Sequence, residues 1–174
     1  MRKRFVKTKQ PIGKMIAVAA AIVAADQAVK YWACTVLQAK GSIAILPNIF
    51  ALTYAQNTGA AFSILEGKRL FFIVMTLAMV GILFWMARKG HIRGKIGWIS
   101  AAFVIGGAVG NAIDRAWRGF VVDLFDFQLI HFAIFNVADI FITVGGLLLV
   151  IYFAFLEEKT AGGKQEHETG ESDR

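Results

Sequence analysis

The sequence predicts an all-α membrane protein: four transmembrane helices carrying a small extracytoplasmic β-sheet and a membrane-hugging outer loop. Three observations predict it. Of 174 residues, 57% are hydrophobic, and the mean hydropathy is +0.58. Four long apolar runs follow one another along the chain. Charge is also segregated, because six of the twelve acids (Glu157, Glu158, Glu166, Glu168, Glu171, Asp173) sit in the last 18 residues. The first 156 residues therefore hold six carboxylates, Asp26, Glu66, Asp114, Asp123, Asp126 and Asp139, against 16 Lys and Arg. A soluble domain is about a quarter charged and needs that charge for dispersal, while a disordered chain is far less apolar. Both classes are excluded, and a membrane protein with small extramembrane pieces remains.

The chain divides into a basic N-terminus (1–13), a four-helix membrane domain (14–156) and a tail (157–174) expected to be disordered. The spans are placed at about 15–37, 70–87, 96–113 and 136–156, with outer loops 38–69 and 114–135. Leu70 to Ala87 is 18 residues without a charge, as is Ile96 to Ile113, and Ile140 to Leu156 adds 17 more. At about 1.5 Å per residue each crosses most of a ~30 Å hydrocarbon core. The first span, Met15 to Leu37, is interrupted by Asp26 and Lys30. Its basic lead and small residues to Ala25 also fit a cleavable signal peptide. Against cleavage, apolar character resumes through Tyr31-Trp32 to Leu37, and Asp26 and Lys30 stand four apart on one helical face.

Lys and Arg set the expected orientation. Arg2, Lys3, Arg4, Lys7, Lys9 and Lys14 precede the first span, and Arg88, Lys89, Arg93 and Lys95 link the second to the third. Both termini are expected to be cytoplasmic. In the first outer loop, Ile43, Ile45, Ile49, Leu52 and Tyr54 mix with Pro47-Asn48 and Asn57-Thr58-Gly59, the pattern of short strands joined by turns. The second sets Phe120, Val121, Val122, Leu124, Phe125 and Phe127 around two aspartates and is expected to lie along the membrane. Cys34 is alone and the three histidines are scattered, so neither a disulfide nor a metal site is expected. The basic residues group at helix ends, which is not a nucleic-acid signature.

The aspartates are the chemical suspects, since a charge in the bilayer costs roughly 2.5–3.5 kcal/mol on insertion scales. Asp26 with Lys30 reads as a structural pair or as support for a site. Gly106 and Gly110 have the spacing of close helix packing and lead to Asn111, Asp114 and Arg115. Asn136 and Asp139 repeat the Asn-x-x-Asp spacing, which is also that of a helix N-cap. Asp123 and Asp126, three apart, either share a helical face or face one to water and the other to the site. Were Asp123 and Asp139 to converge in apolar surroundings, the two carboxyls would share a proton and act as base and acid.

Five blocks carry a resemblance: Asp26-Gln27-x-x-Lys30, Asn57-x-Gly59-Ala60-Ala61-Phe62-Ser63, Gly106-Gly107-Ala108-x-Gly110-Asn111-x-Ile113-Asp114-Arg115, Val121-Val122-Asp123 and Phe135-Asn136-x-Ala138-Asp139. In this order they resemble the bacterial lipoprotein signal peptidase family (signal peptidase II) over roughly residues 14–156; Leu124, where Phe or Met is common, is the one mild departure. The resemblance implies an aspartyl endopeptidase of the inner membrane, without cofactor or metal and expected to be monomeric, working among membrane phospholipids at the outer leaflet. It cleaves prolipoproteins on the amino side of a lipidated cysteine. Asp123 and Asp139 match the catalytic pair; Asn57, Asn111, Arg115 and Asn136 match substrate-pocket positions; Asp26 and Asp114 match supporting acids. Asp126 falls outside the catalytic block. From another class, the alternative is a small proton-coupled four-helix transporter, which wants an acid near mid-membrane; only Asp26 is that deep, and Lys30 stands beside it. A purely structural membrane anchor would leave the Asn-Asp pairs without a role.

Overall fold

The structure, a computed structural model, describes residues 11–59, 67–130 and 132–156. The expected basic N-terminus up to Gln10, Glu66 with the block 60–63, and the expected tail from Glu157 lie outside the described residues. Among those described, four helices are long and apolar enough to cross a membrane: α1 (Ile12–Lys40), α2 (Arg69–Lys89), α3 (Gly94–Arg118) and α4 (Val137–Ile151, continued by a π-helical turn, Tyr152–Leu156). Between them lie β1 (Ser42–Leu46), β2 (Phe50–Asn57) and β3 (Val121–Phe127).

Helix α3 is the hub, because its small residues let two backbones approach. A Cβ on Gly106 would stand 2.9 Å from the Ala19 carbonyl oxygen of α1, and one on Gly107 would run into the Ala138 carbonyl of α4. A Cβ on Gly110 would meet Asp26 Oδ2 at 2.6 Å. The Gly106–Gly110 spacing is therefore a packing seam, with α1 as its partner and an aspartate at the end nearer the sheet. Helix α2 differs. Only Leu83 and Ala87 of it are buried, and Leu70, Val74, Met75, Leu77, Ile82 and Trp85 are exposed, an apolar surface suited to lipid rather than water. Tyr31 and Trp117, 66% and 87% exposed, mark the sheet end of the bundle as aromatic belts mark interfaces. At the opposite end the buried Tyr152 hydroxyl accepts the Arg93 N–H at 2.8 Å and donates to the His91 carbonyl at 3.3 Å, tying α4 to the turn between α2 and α3.

The third span extends further than its uncharged run. Asp114, Arg115 and Arg118 remain helical, and the chain leaves α3 only at Gly119, whose φ of 87° is the left-handed conformation that glycine adopts freely. The two arginines favour the negative end of the helix dipole, and Asp114 pairs with Lys30 and Arg118, so no charge there forces an earlier exit.

The expected sheet is present, and it has a third strand drawn from the second outer loop. The order is β1-β2-β3, antiparallel throughout, with Ala55 opposite Asp123 and Asn57 opposite Val121. Alternation along β3 turns Val122 and Leu124 onto Ala33 and Leu37 of α1, where a π-helical stretch, Ala33–Leu37, interrupts the regular helix before its last residues, Gln38–Lys40. Asp123 faces the other way. Phe50, Phe125, Phe127 and Phe135 form an aromatic cluster of stacked and tilted pairs, with ring centroids 5.0–6.4 Å apart.

Candidate active site

Five of the polar residues singled out in the sequence meet where β3 approaches the N-terminus of α4 and the last turns of α3. Asp123 is 2% exposed. Its Oδ2 accepts from Asn57 Nδ2 at 3.0 Å and its Oδ1 from Asn136 Nδ2 at 2.6 Å. Burial pushes its carboxyl up to about 6, with the nearby Asp139 charge acting in the same direction, while the bonds from Asn136 and Asn57 pull down. Asp139 Oδ1 accepts from Asn111 Nδ2 at 2.8 Å, and its Oδ2 accepts the Asn136 backbone N–H at 3.1 Å.

Asn136 joins the two. Its Oδ1 accepts the Asp139 N–H at 3.0 Å, completing a capping box at the start of α4, while its Nδ2 reaches both Asp123 and Asn111 Oδ1. The Asn-x-x-Asp spacing is thus a helix cap, and the same asparagine also bonds the Asp123 side chain. The helix cap is what holds Asp139 beside the strand.

Arg115 approaches from α3. One of its terminal nitrogens donates to the Gly59 carbonyl at 2.7 Å, the other to the Asn111 carbonyl at 3.4 Å, and the guanidinium lies 4.6 Å from the centre of the Phe72 ring. Its Nε has no hydrogen-bond partner among the described residues. A buried donor beside two carboxyls, with no partner among the described residues, is suited to a carbonyl.

Below this layer lies a second one. Asp26 holds Lys30 at 2.9 Å and accepts the Ala138 N–H of α4 at 2.9 Å. Asp114 holds Lys30 at 3.1 Å, pairs with Arg118, and accepts the Val122 N–H of β3 at 3.1 Å. Each acid therefore anchors the backbone next to one of the upper pair. Asp126 is elsewhere: it accepts from Thr53 at 2.9 Å and Gln128 at 3.1 Å, on the opposite face of β3 from Asp123. A shared helical face for Asp123 and Asp126 is ruled out, because the segment is a strand and a spacing of three inverts the side.

Gln27 and Arg118 of this lower layer have no site role in the sequence reading, and Lys30 is read there only as the partner of Asp26. Local spacing pairs Lys30 with Asp26 alone, yet Lys30 also reaches Asp114 and Asn111. Gln27 donates to the Gly110 carbonyl and Asp114, and Arg118 pairs with Asp114. The i,i+4 spacing of Asp114 and Arg118 is the available signal. Nothing in the sequence points to Phe72.

A model of the family described as Signal peptidase (SPase) II matches residues 18–155. The chain belongs to the signal peptidase II family. A lipoprotein signal peptidase of Clostridioides difficile (strain 630) is 42% identical over 141 residues, covering 80% of this chain and 93% of that protein. One from Brevibacillus brevis is 46% identical over 138 residues, covering 78% and 92%. In three dimensions the peptidase is similar to a bacterial membrane enzyme solved by the in meso method at 1.9 Å, with a TM-score of 0.76, 32% identity, and coverage of 87% of this chain and 99% of that one. It is thus a multi-pass membrane protease, and the proton-coupled transporter finds no support.

Proposed function

We propose that the peptidase removes signal peptides from prolipoproteins whose lipobox cysteine carries a diacylglyceryl group, with Asp123 and Asp139 as its catalytic pair. One observation carries the assignment: Asp123 and Asp139, 16 positions apart in sequence, are bound to the same asparagine, through the Asn136 side chain and backbone respectively.

Charge counting supports the pairing. The two layers hold Lys30, Arg115 and Arg118 against Asp26, Asp114, Asp123 and Asp139, three cations and four carboxylates. One proton shared by Asp123 and Asp139 brings the buried cluster to neutrality, the condition that a low-dielectric site favours. It is also the starting state for acid–base catalysis. The ionised carboxyl takes a proton from water as the oxygen attacks the scissile carbonyl carbon, while the protonated one gives its proton to the carbonyl oxygen. Collapse of the tetrahedral diol breaks the C–N bond: the carboxyl that took the water proton gives it to the departing cysteine amine, and a diol hydroxyl returns a proton to the other carboxyl, so that the pair again holds one proton. The signal peptide leaves with the new carboxylate.

Asn57, Asn111 and Asn136 hold the carboxyl oxygens in place for this exchange, and Arg115 offers its open Nε–H to a peptide carbonyl. Asp26 and Asp114 support the pair from below. The distribution of Lys and Arg argues for cytoplasmic termini and a site at the outer leaflet of the inner membrane, where a lipid-anchored precursor presents its scissile bond. Phospholipid surrounds a monomeric enzyme in this reading. The test is cleavage of a purified, lipidated precursor in detergent by wild type, Asp123→Asn and Asp139→Asn. Each variant is expected to fold and to lose about 10³-fold or more in kcat; retained cleavage by either sinks the dyad. Equal rates on unlipidated precursor would overturn the requirement for the lipid.

A further inference from the structure

A fully buried ammonium lies beneath the carboxyl pair, and the proposed chemistry uses it only as one charge in the balance of the cluster. Lys30 Nζ is surrounded by three acceptors: Asn111 Oδ1 at 2.8 Å, Asp26 Oδ2 at 2.9 Å and Asp114 Oδ2 at 3.1 Å. Three protons meet three oxygens, so the group is saturated. Two carboxylates already exceed its charge. The third and shortest contact goes to a neutral amide, which a counter-ion has no need of.

That contact has a directional consequence. An asparagine amide can be turned end for end with little change of shape, and only its partners decide which end is oxygen. Lysine has donors and no acceptor, so the atom facing Nζ must be oxygen. Asn136 Nδ2 comes to the same oxygen at 3.2 Å. With Oδ1 engaged twice, Nδ2 of Asn111 is turned to Asp139 Oδ1 at 2.8 Å. The polarity passes on: Asn136, whose Nδ2 serves Asn111 and Asp123, keeps its oxygen for the Asp139 N–H. Turning Asn111 over would set an N–H against the ammonium and a carbonyl oxygen against a carboxyl, breaking both contacts.

We propose that Lys30 is a positioning residue of this peptidase: its ammonium fixes the orientation of the Asn111 amide and, through it, that of Asn136, so that both amides present N–H donors to the catalytic carboxyls. The proposal rests on Asp123 and Asp139 being the catalytic pair. It assigns Lys30 to the upper layer as well as to the lower, where a counter-ion role would leave it.

Charge balance separates the two roles. Lys30→Met/Asp26→Asn removes one charge of each sign, and the amide introduced in place of the Asp26 carboxylate keeps an oxygen for the Ala138 N–H. This variant is expected to unfold within a few degrees of wild type in detergent, to bind lipidated precursor with an unchanged KM, and to lose about 30-fold or more in kcat. Recovery of wild-type kcat on charge balancing would make Lys30 a counter-ion and overturn the proposal. A double-mutant cycle carries the test should that variant fail to fold. Lys30→Arg keeps the charge but not the compact head, so it is expected to lower kcat about 10-fold in the wild-type background and not at all beside Asn111→Ala. The same loss in both backgrounds overturns the proposal. Wild-type cleavage, abolished by Asp123→Asn, is the control: its absence defeats the functional reading and this inference together, whereas its presence with an additive cycle defeats this inference alone.

Discussion

Asn136 Nδ2 lies 2.6 Å from Asp123 Oδ1, a bond between the first residue before α4 and the middle of β3. The same side chain caps α4 with its oxygen. Its two ends therefore have separate uses, and a substitution can remove one alone.

Asn136→Asp does so. The new carboxylate still accepts the Asp139 N–H, so the cap, worth about 1 kcal/mol, is kept. The Nδ2 donor becomes an oxygen facing Asp123 and Asn111 Oδ1. Cleavage is expected to fall about 100-fold or more while the protein stays folded at mildly acidic pH; a rate within about threefold of wild type would show that Asn136 serves the helix only.

Gly110→Ala tests the link between packing and site. Its Cβ would stand 2.6 Å from Asp26 Oδ2, which holds Lys30. Overpacking of this kind costs about 1–3 kcal/mol, and detergent-phase thermal unfolding should show the loss. Gly146→Ala, in the middle of α4 with nothing within 4 Å, is the contrast: it should gain about 0.5–1 kcal/mol from helix propensity.

Asp123 predicts a pH dependence. Its carboxyl ordinarily titrates at 3.8 and is pushed to about 6 in the fold. The folded form holds the proton more tightly than the unfolded chain, so the stabilisation is fully present below about pH 4 and lost as pH rises through about 6. The shared proton is lost over the same range. The alkaline limb of kcat/KM, which reports the free enzyme, should centre near pH 6, and that of kcat should lie higher because bound substrate strips remaining water from the pair. Asp123→Asn should flatten the fall in unfolding temperature between about pH 5 and pH 7, a range bracketing that value; an unchanged slope would count against the shift.

Arg115→Lys retains charge but loses the planar contact with Phe72 and the fork that spans the Gly59 and Asn111 carbonyls. A loss of about 10-fold in kcat/KM is expected, larger in KM than in kcat if the guanidinium binds substrate. A change in kcat alone would move Arg115 from binding to the organisation of the dyad.

Much of this is legible without coordinates. The helices follow from apolar runs that leave lipid as the only suitable solvent, and the small residues from Gly106 to Gly110 announce a close packing seam. What the sequence leaves open is pairing across distance. Spacing alone leaves Asp123 and Asp126 alike; only the family block favours Asp123, and the physical reason is that β3 is a strand, which sends one inward and the other to Thr53. Lys30 looks like the partner of Asp26 because i,i+4 spacing is local, whereas its contacts with Asn111 and Asp114 join two helices, Asn111 lying 81 residues away in the chain. Asp114 reads as the beginning of a loop, since an unpaired charge ends an apolar span and its cations are not in view.

The sequence by itself determined the solvent, the number of spans and which polar residues are too costly to be idle. Those are properties of composition and local period, summed over neighbours in the chain. Only the tertiary structure decided which carboxyls share surroundings, which way each amide is turned, and which lysine lies beneath them. Burial raises a carboxyl, and hydrogen bonds of about 3 Å orient an asparagine. Here the atoms responsible come from α1, β2, α3, β3 and α4 at once.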